Sequence, residues 1–291
     1  MTIAALDGIA PLADRHDVFV LDLWGTLHDG IVALPGAVDA LTRLKRANRR
    51  IALLSNVPLR AEVARLVVRR VGIDDALYDA IVSSGEVTWQ AIATRPDAWY
   101  RSFGRRCWFI GHERHRSMLD NPGLDVAASI EAADFVLCTN PRSDTDTAAI
   151  YADELAACAA RDLPLVCANP DRAVLRGTVR QICAGALAEH YENTLGGTVR
   201  WHGKPDPSAF AAALAAVAAP EGARVVVVGD SLATDIAGAR NSGYAAALVC
   251  GGIHAEALGI AAGTLPPPER LAALARDYGV APDWALASFV W

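Results

Sequence analysis

The sequence contains no CxxC pair, no surplus of basic residues and no apolar run approaching the ~20 residues that a membrane-spanning helix needs. Its six cysteines, Cys107, Cys138, Cys158, Cys167, Cys183 and Cys250, are scattered, most of them inside apolar runs such as FVLC. That spacing excludes a disulfide framework or a cysteine-ligated metal and leaves reduced thiols packed in a core. The net charge of -6 and an isoelectric point near 5.6 argue against a nucleic-acid backbone as the partner, because such a partner wants a basic face. The opening MTIAALDGIAPLADRHD lacks the basic start and apolar centre of a secretory leader. No membrane partner is expected, and a cytoplasmic protein is. His112 and His115 in GHERH have no further ligand at matching spacing, so they read as a polar loop.

What is present is core-forming. With 291 residues, 53% of them apolar, the chain can bury more than one core, and two domains are expected. VFVLDL (18–23), RIALLS (50–55) and RVVVVGD (224–230) are short runs of continuous hydrophobicity, the pattern of strands buried on both faces of a parallel sheet. AVDALTRLKRAN and RAEVARLVVRRVG follow the first two with apolar residues at helical spacing. This βαβα order predicts an α/β fold with a doubly wound, Rossmann-like parallel sheet. After IVSSGEVTWQAI (81–92) the texture changes: CWFIG (107–111), FVLC (135–138) and LPLVC (163–167) alternate with helical runs of their own. Residues 86–202 are therefore expected to form an inserted α/β domain, and 1–85 plus 203–291 a discontinuous core. The core resumes at PDPSAFAAALAAVAA (205–219) and gains a strand at AAALVC (245–250).

In open parallel sheets, ligands gather at the carboxyl ends of the strands where strand order reverses, and three strands here lead to Asp22, Ser55 and Asp230. One acid or serine after a strand is as readily a turn or a helix cap. Three of complementary chemistry are much less so. DLWGTL (22–27), LLSN (53–56), GKPDPSAF (203–210) and GDSLATDIAGARNSG (229–243) resemble, in order and spacing, the four motifs of the haloacid dehalogenase superfamily. NPD (169–171), GAL (185–187) and an insert between the second and third motifs further resemble its class IIA branch with a C2-type cap. That branch includes nucleotide and sugar phosphatases and 4-nitrophenylphosphatase-like proteins.

The resemblance implies that Asp22 accepts a phosphoryl group. An ionised carboxylate at a strand end has the chemistry for it, since an acyl phosphate divides one hard displacement into two easier ones. Gly25 and Thr26 let the chain turn closely beside the phosphate. Ser55 can offer its hydroxyl and Asn56 its backbone N–H to a phosphate oxygen, and Lys204 in GKPDP brings a point charge that can hold both the phosphate and the Asp22 carboxylate. Asp230 and Asp235 join Asp22 to make three anions, hard oxygen ligands suited to Mg2+, which offsets their repulsion. The resemblance adds the backbone carbonyl of Trp24 as a further metal ligand. In the insert, Asn169 and Asp171 resemble a cap loop facing the site, with an Asx turn as an equally good account. Arg142 and Asp144 are expected near that loop. Any of Trp89, Trp99, Trp108 and Trp201 can wall a pocket, though packing is the commoner use.

One position departs from the pattern. Family phosphatases usually carry a second aspartate two residues after the first, which protonates the leaving oxygen and then activates water. Here that residue is Trp24, whose indole cannot titrate. Three readings follow. The first is a Mg2+-dependent hydrolase of small phosphomonoesters in which His28 or Asp29 substitutes, or whose leaving groups need little protonation. The second is a dehalogenase, which needs no metal and leaves Asp230 and Asp235 without purpose. The third is a non-catalytic protein that binds a phosphorylated ligand. The first is favoured, because binding alone does not require the full set of nucleophile, lysine and metal positions. The expected partner is a small phosphorylated metabolite, and the expected assembly, if any, is a homodimer.

Overall fold

The structure is a computed structural model that describes residues 3–176, 179–261 and 263–291; the first two residues of the opening segment lie outside it. Seven strands form one sheet in the order Ala4–Leu6, Trp284–Leu286, Ala245–Val249, Val225–Gly229, Val18–Leu21, Arg50–Ser55, Ala80–Ser83. Every neighbouring pair is parallel. From Val18–Leu21 the chain runs outward through Arg50–Ser55 to Ala80–Ser83, then returns to Val225–Gly229 on the opposite flank of the first strand. The reversal of order therefore falls between Val18–Leu21 and Val225–Gly229.

Alternate residues of the central strands point to opposite faces. Phe19 and Leu21 join one apolar layer with Leu41, Leu44 and Val226, whereas Val18 and Val20 join the other with Phe210, Ala213 and Val225. Helix Ala37–Arg46 covers the first face and helix Pro207–Ala216 the second. With both faces buried, these strands must be apolar throughout, which is the pattern the sequence displays.

A second parallel sheet lies within the insert, in the order Val199–Trp201, Leu165–Cys167, Phe135–Cys138, Arg106–Ile110, Asp125–Val126, with apolar clusters of its own. An antiparallel hairpin, Ala173–Arg176 with Val179–Ile182, follows the NPD loop. The hairpin and the strands Ala4–Leu6, Asp125–Val126, Val199–Trp201 and Trp284–Leu286 were not legible as periodic runs. Each is four residues or fewer and mostly not fully buried, too short to display a hydrophobic period. All six cysteines are buried and unpaired. Among the described residues, no helix is long and apolar enough to cross a membrane.

Candidate active site

The point of strand-order reversal collects the acids. Asp22 follows Val18–Leu21, Asp230 follows Val225–Gly229, and Asp235 lies in a π-helical turn, Leu232–Ile236. One carboxylate oxygen from each lies within 4.8 Å of the others, and all three residues are buried. Glycine makes this convergence possible. A Cβ on Gly25 would stand 2.0 Å from Asp230 Oδ2, and one on Gly252 would stand 2.1 Å from the same atom. Gly25 also has a φ of +79°, a conformation that other residues rarely adopt.

Lys204 is buried beside the acids, and its ammonium donates to Asp22 Oδ1 and, at 2.7 Å, to Asp235 Oδ1. Ser231 N–H donates to Asp235 Oδ2 at 3.1 Å, so Asp235 ties down its own turn while it faces the lysine. Ile253 N–H donates to Asp230 Oδ2 at 2.7 Å. Asn56 fixes the lysine's backbone: its Oδ1 accepts from Lys204 N–H at 2.8 Å, and its Nδ2 donates to the Lys204 carbonyl at 3.1 Å and to Asp171 Oδ1 at 2.9 Å.

A cleft of about 1410 Å³ opens over this edge, lined by Asp22, Trp24, Gly25, Ser55, Lys204 and Asp230 from the core side and by Asp171, Leu175, Arg180 and Trp201 from the insert. Thr26, Asn56 and Asn169 are buried and off the cleft wall. Asn169 instead accepts the Asp171 N–H at 3.1 Å, the Asx turn weighed from the sequence, and that turn presents Asp171 to the cleft. Arg142 and Asp144 are away from the wall: Arg142 pairs with Glu154 at 2.7 Å and Asp144 with Arg114 at 2.9 Å. Of the four tryptophans weighed for the pocket, Trp201 alone lines it. Trp89 packs under the Arg60 guanidinium, Trp99 packs on Tyr100 and Phe103, and Trp108 donates to Glu154. His112 accepts from Arg114 N–H within its own loop, and His115 bonds Thr139 just past the strand Phe135–Cys138.

Trp24 joins its own loop to the hairpin. Its indole N–H donates to the Leu175 carbonyl in the hairpin, its ring meets His28 edge-on at 5.3 Å, and it fills the space that a side chain on Gly30 would need. His28 is buried, and its Nδ1 accepts from Gly30 N–H at 2.9 Å. Burial pushes its pKa down to about 4, against a small opposing pull from Asp29. The Asp29 carboxylate accepts from Ile31 N–H and Val32 N–H, both at 2.8 Å. Both groups close their own loop. His254, which the sequence reading did not single out, accepts from Leu232 N–H at 3.1 Å and so braces the turn that carries Asp235.

Burial pushes the Asp22 carboxyl up, Lys204 opposes the push, and Asp235 adds to it. Burial likewise raises Asp230, reinforced by Asp22 and Asp235. For Lys204, burial works against its charge but is outweighed by Asp22, Asp235 and Asp171, which hold it well above the usual lysine range. One ammonium cannot offset three buried carboxylates. Among the described residues, no hydrogen bond reaches Asp22 Oδ2 or Asp230 Oδ1. Free, hard carboxylate oxygens converging on one point fit a small divalent cation.

A parallel sheet with a carboxylate and lysine centre at its switch point defines an α/β protein with a polar site where such sheets bind ligands, and comparison with known proteins identifies the family. Residues 19–125 match the model of the haloacid dehalogenase-like hydrolase family, and residues 201–281 match one described as HAD-hydrolase-like. A haloacid dehalogenase-like hydrolase from Brucella suis 1330 is 31% identical, with a TM-score of 0.82 over 98% of this chain and 100% of that one. A 4-nitrophenylphosphatase from Thermotoga maritima is 23% identical, with a TM-score of 0.68 over 94% of this chain and 95% of that one. A glycerol phosphate phosphatase from Mycobacterium tuberculosis, solved in complex with calcium, is 24% identical, with a TM-score of 0.62 over 83% and 68%. No curated protein matches the chain closely in sequence. The chain belongs to the haloacid dehalogenase-like hydrolases. It is therefore an enzyme of the hydrolase type, with an insert between the segments LLSN (53–56) and GKPDPSAF (203–210).

Proposed function

We propose that this chain hydrolyses small phosphomonoesters, such as sugar, nucleotide or aryl phosphates, through a phosphoryl group carried on Asp22, with Mg2+ held by Asp22, Asp230, Asp235 and the Trp24 carbonyl. The observation that carries the reading is Lys204, buried between the Asp22 and Asp235 carboxylates at the edge of the sheet. In this reading 1–85 plus 203–291 are the core, and 86–202 are the cap that excludes water and contacts the leaving group.

Ser55, Lys204 and the backbone N–H groups near Gly25, Thr26 and Asn56 receive the phosphoryl oxygens. The Asp22 carboxylate attacks phosphorus, and water then displaces the phosphoryl group from it. Bound Mg2+ supplies the positive charge that lets three carboxylates and a phosphoryl dianion share one pocket. The 4-nitrophenylphosphatase and the glycerol phosphate phosphatase named above support the phosphomonoester class, and the calcium in the latter supports a divalent-cation site. Six buried, unpaired cysteines suit a reducing, cytoplasmic setting. A dehalogenase has no use for the clustered Asp230 and Asp235.

A panel of phosphorylated metabolites assayed with Mg2+ tests the reading. Phosphate release is expected from the wild type and is lost in Asp22→Asn. A folded wild type that turns over nothing supports the ligand-binding reading instead, and metal-independent halide release from a haloacid supports dehalogenation.

A further inference from the structure

The proposed reaction needs a proton for its leaving group, and Trp24 cannot give one. We propose that Asp171, on the opposite wall of the cleft, is the general acid and base of this site; the proposal rests on the phosphoryl-Asp22 reading above.

The groups nearest Trp24 in sequence are committed elsewhere. His28 is buried off the cleft wall with Nδ1 accepting from Gly30 N–H; Asp29 lines the cleft, but two N–H groups of its own loop hold its Oδ1 and keep its carboxyl below the usual range, so it stays ionised. Asp171 differs from both in being tied to the core residue that also holds Lys204, Asn56. It lines the cleft together with Asp22, Ser55 and Lys204. Its backbone is set by the Asn169 turn, and its Oδ1 is anchored by Asn56 Nδ2 at 2.9 Å. No hydrogen bond among the described residues reaches Oδ2, so one oxygen is positioned and the other is available. Gly185 allows this placement, since a Cβ there would stand 2.2 Å from the Pro170 carbonyl oxygen and 2.5 Å from that of Asp171.

The anchor comes from the core and the acid from the insert, so the pair is assembled only when the two sheets meet. The titratable groups that face Asp171 are Lys204, Asp235 and Asp22 from the core and the thiols of Cys167 and Cys183 from the insert. Burial raises its proton affinity, which Lys204 and Asn56 only partly offset.

In the first step the Asp22 oxygen bonds to phosphorus while the bond from phosphorus to the leaving oxygen breaks. The electron pair stays on that oxygen, which takes the Asp171 proton. In the second step the Asp171 carboxylate takes a proton from the attacking water while the bond from phosphorus to Asp22 breaks, which frees phosphate and restores both side chains.

The test is a set of aryl phosphates of one shape, from 4-nitrophenyl to 4-methoxyphenyl phosphate, assayed with Mg2+ on the wild type and on Asp171→Asn. The amide keeps an acceptor for Asn56 but is no acid. The ratio of kcat/KM for the nitro over the methoxy ester is expected to rise by ~100-fold in the variant, because only the basic leaving group needs the proton. The basic limb of the wild-type pH profile for the methoxy ester is expected to disappear with it. An unchanged ratio, whether both esters slow equally or neither does, assigns Asp171 to cap seating and overturns the proposal. If the wild type turns over neither ester, the Asp22 reading itself fails and the proposal falls with it.

Discussion

At the scale of single residues, Lys204 is the group on which most depends. It is the cation closest to three buried carboxylates, and removing one member of a buried charged set leaves the others uncompensated. Lys204→Ala is expected to abolish turnover and to lower stability by about 3 kcal/mol in chelator, measured by denaturant unfolding. A variant as stable as the wild type contradicts the electrostatic account. Trp24 is expected to act through its N–H: Trp24→Phe keeps a ring against Gly30 and His28 but loses the donor to Leu175. A lost hydrogen bond of about 1 kcal/mol predicts a KM roughly 5-fold higher with kcat little changed, if the hairpin seats the substrate. A fall in kcat alone tells against this. Asp22, Ser55 and Asp230 were legible in the sequence as polar residues closing apolar runs, and Lys204 and Asp235 through the segments GKPDP and GDSLATD that resemble family motifs. The bridging by Asn56 and the support from His254 were not, because their partners are far away in the chain and neighbourhood in sequence says nothing about them.

At the scale of elements, the site exists because strands end one residue before their acids and glycines let the following loops close. Gly25→Ala forces a Cβ toward Asp230 Oδ2 and strains a φ of +79°. It is expected to weaken Mg2+ activation at least ~10-fold, since about 1–3 kcal/mol of strain falls on a ligand loop, while circular dichroism stays native. A native Mg2+ dependence removes the argument. The central strands and the helices Ala37–Arg46, Ala61–Arg70 and Pro207–Ala216 were readable because burial on both faces, or on one helical stripe, writes a period into the sequence. The hairpin Ala173–Arg176 with Val179–Ile182 carries no such period, yet it supplies the carbonyl that Trp24 holds and part of the cleft wall.

At the scale of the whole molecule, two sheets meet across one cleft, and buried neutral histidines are spread through both. Burial lowers His28, His202 and His254 to about 4 and His115 to about 3 from 6.5. Through these four groups the unfolded chain binds more protons than the folded one between those values, opposed in part by the raised carboxyls of Asp22 and Asp230. Stability is whole above about pH 6.5 and falls as the pH drops toward about 4. A melting temperature that stays level over that window contradicts the assignment. Metal works in the other direction: Mg2+ bound by the native carboxylate cluster alone should raise the melting temperature of the folded chain, and of Asp230→Asn much less.

The central claim is that a phosphoryl group is transferred to Asp22. The most direct measurement is rapid quenching of the Mg2+-loaded enzyme during turnover of 4-nitrophenyl phosphate, followed by mass spectrometry of the peptide containing Asp22. One phosphoryl group on that peptide, absent from Asp22→Asn, is the predicted result. Continued hydrolysis by Asp22→Asn, or turnover with no phosphoryl group on Asp22, contradicts it.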